Sequence, residues 1–290
     1  MKLLKGKRES LIGYLFLMPA LVFFFGIMVY PLIMGISLSF CDYNLIYKDA
    51  TFVGLDNYKE LIQDDDFWLA FKNTVLWSLF LTLLSLFLGL GLALILNKEF
   101  KGRGIVRALW LLPWAVPTIV ASLSWSLIYE PEIGVLNYLL RKIGLINSNI
   151  YYLADSSVAF VSVMITALWH SYPFSVMALL GGLQSIPYHL YEAAEIDGAG
   201  TLQKFFYITI PSLRSVIGIL TTLQFIWNFN HFDIVWQLTQ GGPGGATTLL
   251  STIVYFKGFR GGRMGYGSAI AVVMLIFLLV FSYFYFKLYR

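Results

Sequence analysis

A chain of 290 residues with 58% hydrophobic and only 12% charged positions cannot clothe a water-soluble core, since soluble domains carry roughly a quarter charged residues. The net charge of +4 is small and dispersed, which argues against a nucleic-acid surface. The single cysteine, Cys41, excludes an internal disulfide framework and reads as a membrane-border residue.

The N-terminus carries Lys2, Lys5, Lys7 and Arg8 ahead of an uncharged run from Leu11 to Phe40. A cleavable signal has an apolar core of about 7–15 residues, and this run is about twice that, so an uncleaved first span is expected. A helix crosses the hydrocarbon core with about 20 mostly apolar residues. Further uncharged runs lie at Asn73–Asn97, Ala108–Tyr129, Ser156–Tyr191 and Met264–Phe286, and a shorter one at Ser215–Phe232 is just sufficient. The expected fold is an all-α membrane protein, a single transmembrane domain over residues 1–290. Its six spans fall at about 11–38, 73–97, 107–129, 156–181, 212–232 and 265–287.

Ile234–Phe256 is also uncharged, but Gly241, Gly242, Pro243, Gly244 and Gly245 interrupt it. Such a run breaks a helix, and its Gln and Thr residues are too polar for lipid. It is expected to form an external turn followed by a short surface or re-entrant helix before the last span, with a seventh span as the alternative.

Basic residues orient the bundle. Lys2, Lys5, Lys7 and Arg8, then Lys98, Lys101, Arg103 and Arg107, form two short dense clusters that place these segments inside. The first outer segment instead holds Asp42, Asp49, Asp56, Glu60, Asp64, Asp65 and Asp66. Both termini are therefore expected in the cytoplasm. Pro19, Pro31, Pro113, Pro117 and Pro173 lie inside the apolar runs. Proline frees backbone groups that neighbouring helices or cavity water must satisfy, which favours helices bent around a solute pathway over bare anchors.

Between the fourth and fifth spans runs the inner loop at residues 186–211. Pro187 suits a first helical turn. Leu190, Tyr191, Ala194 and Ile196 give a short helix an apolar side, while Glu192 and Glu195 fall together at i,i+3. Gly198 and Gly200 flank a break, a second short amphipathic helix follows through Leu202, Phe205 and Phe206, and Pro211 opens the next span. Small residues at the elbow, Ala193, Ala194 and Ala199, permit close docking in a partner's groove. The competing reading is an amphipathic helix lying on lipid; the acidic elbow argues against it, because such helices are rich in Lys and Arg.

Glu192-Ala193-Ala194, then Gly198, then Ile208-Thr209-Ile210-Pro211 resembles the EAA loop of binding-protein-dependent ABC importer permeases. The family pattern ends in I-x-L-P, and Ile210 takes the leucine place. Phe52–Thr74 and Leu238–Pro243 resemble the sugar-importing branch of maltose, oligosaccharide and glycerol-phosphate permeases. The resemblance implies a prokaryotic cytoplasmic membrane and a second permease subunit, of a different chain. It also implies two cytoplasmic ATPase subunits beneath and an external solute-binding protein above. Glu192, Ala193, Ala194, Asp197 and Gly198 would then form the ATPase contact, and ATP binding would rock the bundle between inward-facing and outward-facing states.

The chain itself shows no catalytic site. No G-x-x-x-x-G-K-[ST] loop cradles phosphates, so ATP and Mg fall to the partner ATPases. No cofactor or metal is expected of this chain, since His170, His189 and His231 are scattered without partners at motif spacing. Trp169, Tyr172 and Phe174 around Pro173, with Asn228 and His231 at i,i+3 beside Trp227, offer aromatic faces and amides suited to a sugar. By resemblance Trp169, Phe174, Asn228 and His231 fall at solute positions; the other reading is helix–helix hydrogen bonding and an aromatic belt. A neutral sugar or oligosaccharide is favoured because no Arg or Lys lies inside the uncharged runs. The alternatives are glycerol phosphate or another polar solute, or a self-sufficient secondary transporter, which would need buried ionisable groups.

Overall fold

The computed structural model describes residues 14–289. Lys2, Lys5, Lys7, Arg8, the first residues of the first predicted span and Arg290 lie outside the described residues. The chain forms two units, Met1–Asp64 with Val254–Ile276, and Asp65–Ile253 with Phe277–Arg290.

The first unit opens with helix α1, Tyr14–Leu38, most of whose apolar side chains are exposed. Its π-helical stretch, Phe24–Val29, lies directly ahead of Pro31, with the Tyr30 N–H donating to the Phe25 carbonyl. Proline offers no N–H and its ring crowds the carbonyl four residues back, so a locally widened helix accommodates it. The all-α expectation misses one antiparallel hairpin, β1 (Cys41–Tyr43) with β2 (Ala50–Phe52). The hairpin forms because the Asn44 side-chain oxygen accepts the Ile46 N–H at 2.9 Å, turning the chain locally. Helix α2, Asp56–Gln63, follows, and its buried Asn57 donates to the Ser39 and Cys41 carbonyls at 2.9 Å each. Arg263 forms a two-pronged pair with Glu60 at 2.7 and 2.6 Å. That hydrogen-bonded guanidinium holds the Glu60 carboxyl below the usual carboxylate range. Lys257 and Tyr266 both reach Asp64. These polar ties between Asp56–Asp64 and Lys257–Tyr266 order a segment that has little apolar surface to bury.

The second unit is built on α3, Asp65–Asn97, and α7, Ser156–Gln184. Gly89 of α3 lies so close to α7 that a Cβ there would sit 2.5 Å from the Ser175 Cβ. In lipid, helices are held by this kind of packing and by polar contacts between them rather than by water exclusion. Both are present: Asn228 donates to Thr82 at 3.0 Å, Gln224 to Ser175, and Ser85 meets Ser171 at 3.3 Å. Trp77, Leu81, Val163, Ala167 and Ile234 make one apolar cluster; Ala93, Leu96, Val176, Leu179 and Leu213 make another.

The third predicted span, 107–129, is two helices, α4 (Arg103–Ala115) and α5 (Thr118–Ile128), bent by 92°. Val116 precedes Pro117 and takes an extended conformation, as the residue before proline must. The carbonyl freed at the break accepts a hydrogen bond from His170 Nε2 at 3.0 Å. His170, which the sequence leaves as one of three scattered histidines, thus has a structural task and carries its proton on Nε2. His170→Ala is expected to destabilise the chain by about 1–3 kcal/mol by orphaning that carbonyl. A lowered melting temperature in detergent, restored in part by His170→Gln, checks it; a parent-like melt would show that the bond holds nothing.

After α5 comes α6, Val135–Lys142, and after α7 comes α8, His189–Ile196. Short α9, Thr201–Lys204, and a π turn, Phe205–Thr209, lead into α10, Ile210–Phe229. Ile234–Phe256 is not one helix. It holds most of α11 (Asp233–Leu238), a compact turn, and then α12 (Leu250–Ile253), which runs into a π turn at Val254–Arg260. The Asn73 amide donates to the Gly245, Ala246 and Thr248 carbonyls at 3.2–3.4 Å and pins that turn. Helix α13, Met264–Tyr289, ends the described chain.

Among the described residues, five helical stretches are long and apolar enough to cross a bilayer, or six if the bent α4–α5 pair counts as one. The helices outrun the uncharged runs, so Lys72, Arg107 and Arg214 lie within α3, α4 and α10 near their ends. Arg107 uses its position to donate to the Leu96 carbonyl at 2.7 Å, closing the last turn of α3.

Candidate functional site

The loop at residues 186–211 is built from local capping. Tyr188 precedes α8, and the helix stops because Gly198 adopts φ +79°, a conformation that costs an L-residue with a Cβ about 1–2 kcal/mol. The Gly198 N–H donates to the Glu195 carbonyl at 3.0 Å and the Ala199 N–H to the Ala194 carbonyl at 2.8 Å. This is a Schellman closure, which satisfies the last carbonyls of a helix too short to be stable on its own. The next helix is opened at once, since the Gln203 side-chain oxygen accepts the Gly200 N–H at 2.7 Å.

The result is a rigid elbow with two unlike faces. Tyr191 and Ala194 are half-buried. Glu195 pairs with Lys204 at 2.5 Å. Glu192, Ala193, Asp197 and Gly198 are exposed, and Ile196 is 87% exposed. Of the expected apolar side of Leu190, Tyr191, Ala194 and Ile196, only Tyr191 and Ala194 are half-buried; Leu190, 40% exposed, and Ile196 are not. Ile196 follows Tyr191 by five positions, which at 3.6 residues per turn puts it on the far side of the helix. Glu192 and Glu195 lie at i,i+3 on α8 as expected, and Glu195 is paired with Lys204 of α9. The second amphipathic helix is shorter than expected, since α9 is one turn and gives way to the π turn. Leu202 and Phe206 are 73% and 61% exposed there, while Phe205 is half-buried. The pattern of α1 repeats: the π turn lies directly ahead of Pro211, with the Ile210 N–H donating to the Phe205 carbonyl.

The five solute candidates do not form one group. Phe174 meets Trp227 edge-on at 5.1 Å between ring centres and Trp114 at 6.2 Å, and Trp114 and Trp227 are 56% and 53% exposed. Trp169 is half-buried beside Trp125 at 5.7 Å. Tyr172 is buried in the apolar cluster of α7 and meets Trp110. Asn228 is buried with its amide on Thr82. The His231 ring lies on Trp77 at 5.3 Å, and its backbone carbonyl accepts from Ser251. Sequence reading missed the Tyr191 hydroxyl, Lys204, Thr209, His170 and Asn73. Each works through a partner at least nine positions away, and no local spacing signals that.

Known proteins share both the sequence and the fold. Residues 85–290 match the family model described as binding-protein-dependent transport system inner membrane component. The trehalose/maltose transport system permease protein of Thermococcus litoralis is 38% identical over 98% of this chain and 95% of its own. The sulfoquinovosyl glycerol transport system permease protein of Agrobacterium fabrum is 35% identical over 97% of this chain and 91% of its own. A solved bacterial ABC transporter that imports the polysaccharide alginate shares the fold, with a TM-score of 0.87 at 24% identity, over 100% of this chain and 99% of that one.

Proposed function

From the premise that this chain belongs to the binding-protein-dependent transport system inner membrane components, and is an ABC transporter permease subunit rather than an enzyme, we propose that it carries a neutral sugar or oligosaccharide inward by alternating access. The observation that carries this reading is the elbow at α8. A short helix closed at its C-terminus by Gly198 presents Glu192, Ala193, Asp197, Gly198 and the bare side chain of Ile196 to a partner, with Ala194 beneath. An acidic rim around one exposed apolar side chain suits a cleft with a basic edge on an ATPase subunit. That partner, present in two copies, would bind the ATP and Mg. The elbow then lies in the cytoplasm with both termini, and the Gln240–Thr247 turn lies outside, toward a solute-binding protein. A second, different permease chain completes the pathway. The alginate importer has been solved with a periplasmic protein bound to alginate pentasaccharide, which supports an external partner of that kind.

For the solute, the ring pair of half-buried Phe174 and exposed Trp227, with Trp169 also on α7, offers the faces on which a sugar ring stacks. Tyr172, Asn228 and His231 lie apart from this pair, and Asn228 holds α10 to α3. The relative named for trehalose and maltose supports a neutral disaccharide.

The test is purification of the tagged chain from its native membranes, with uptake of labelled maltose, trehalose and glycerol phosphate in cells with and without the gene. Retention of an ATPase subunit and gene-dependent disaccharide uptake are expected. Phe174→Ala should raise the half-saturation concentration for the disaccharide about 10-fold, the worth of one lost stacking face. Uptake of glycerol phosphate alone would sink the sugar reading.

A further inference from the structure

Two side-chain ties run from α8 to the segment that leads into α10. Tyr191 Oη and Thr209 Oγ1 are 3.0 Å apart. Thr209, 5% exposed, donates its single hydroxyl proton to the Lys204 carbonyl at 3.4 Å. Thr209 must therefore accept from Tyr191, which makes the tyrosine the donor. The second tie is Lys204 Nζ on Glu195 Oε1. Tyr191 and Glu195 are four positions apart and share one face of α8. The two ties land at either end of the π turn, Phe205–Thr209, on Lys204 just before it and on Thr209, its last residue. A π turn is a weak joint in an otherwise regular helix, and this one sits where any push on α8 must pass into α10.

We propose that Tyr191 is a positioning residue for energy coupling. Its hydrogen bond to Thr209 braces the π turn, so that α8 and α10 move as one body when the exposed face of α8 is displaced. The proposal rests on the reading of α8 as the ATPase contact, and it assigns to the buried face a task distinct from docking. Glu192 and its exposed neighbours receive the push; Tyr191, Thr209 and Lys204 keep it from being absorbed in the bend.

The experiment uses the whole transporter with its partner subunits, in nanodiscs. The native thiol is removed by Cys41→Ser, and spin labels are placed through Tyr188→Cys and Ile219→Cys, positions 71% and 59% exposed. The distance between labels is read with and without ATP and vanadate. The braced parent should give one narrow distribution that nucleotide leaves unchanged. Tyr191→Phe and the near-isosteric Thr209→Val should each broaden or shift it by about 2 Å or more, the scale of helix displacements in such transitions. The double variant should do no more than Thr209→Val alone, which removes the Tyr191 bond together with the bond to the Lys204 carbonyl. Thr209→Ser, which keeps the hydroxyl, should restore the parent distribution. Narrow, unchanged distances in both Tyr191→Phe and Thr209→Val overturn the proposal, as does a parent whose own distance changes with nucleotide. Failure of the underlying reading looks different: the ATPase would not co-purify with the unlabelled parent chain at all.

Discussion

Glu192→Lys should strip the ATPase subunit from the purified chain while leaving the chain folded in the membrane. The residue is exposed and lies in the first turn of α8. A lysine there meets the positive end of the helix, at a cost of about 0.3–1 kcal/mol. A short helix closed at Gly198 and tied to Thr209 can absorb that. At an interface the same change replaces an attraction by a repulsion and leaves the partner's basic group unpaired, which costs about 2–5 kcal/mol. On that scale affinity falls roughly 30-fold to several thousand-fold. Co-purified ATPase, quantified per tagged chain beside the chain's melting temperature, separates the two effects. Glu192→Gln should fall between parent and Glu192→Lys, because it removes the attraction without adding a like charge. Retention of the ATPase at parent level by Glu192→Lys would refute the contact assigned to the exposed face of α8.

Gly89→Leu should prevent stable packing of α3 on α7. A Cβ at this position would lie 2.5 Å from the Ser175 Cβ and 3.1 Å from the Ser175 carbonyl carbon. The second neighbour is backbone, which cannot rotate aside, so the helices must part. Overpacking of this kind costs about 3 kcal/mol or more. Parting also disturbs Ser175, which accepts from the Gln224 amide, and so loosens the tie from α7 to α10. Gly91→Leu is the control. Two positions along the same helix, its Cβ meets nothing within 4 Å, and the expected effect is within about 0.5 kcal/mol. Equal melting temperatures for the two variants would show that the close approach at Gly89 does not hold the bundle.

Much of the site was legible before any coordinates. The pattern from Glu192 through Gly198 to Pro211 located the elbow, and the helix stop at Gly198 follows from glycine chemistry alone. The gap at Gly241–Gly245 was legible for the same reason. The division of labour between the two faces of α8 was not. It depends on Lys204, nine positions on, reaching back to Glu195, and on Thr209 being buried beneath Tyr191. The two-helix form of the third span was half legible: Pro113 and Pro117 announced strain, but a bend of 92° depends on His170 in another helix receiving the freed carbonyl.

By itself the sequence determined that the chain is a membrane bundle, where its apolar runs lie, which segments are basic, and where short capped turns interrupt it. All of these are properties of neighbours in the chain, written in composition, periodicity and the special chemistry of Gly and Pro. Only the tertiary structure decided which polar side chains meet. Asn228 finds Thr82, Asn73 holds the turn at Gly245–Thr248, and Tyr191 reaches Thr209. The physical reason is that lipid removes the solvent contrast that marks a buried face in water. In a bilayer the inside of a bundle is told from the outside by close approach and paired polar groups, and those belong to residues far apart in sequence.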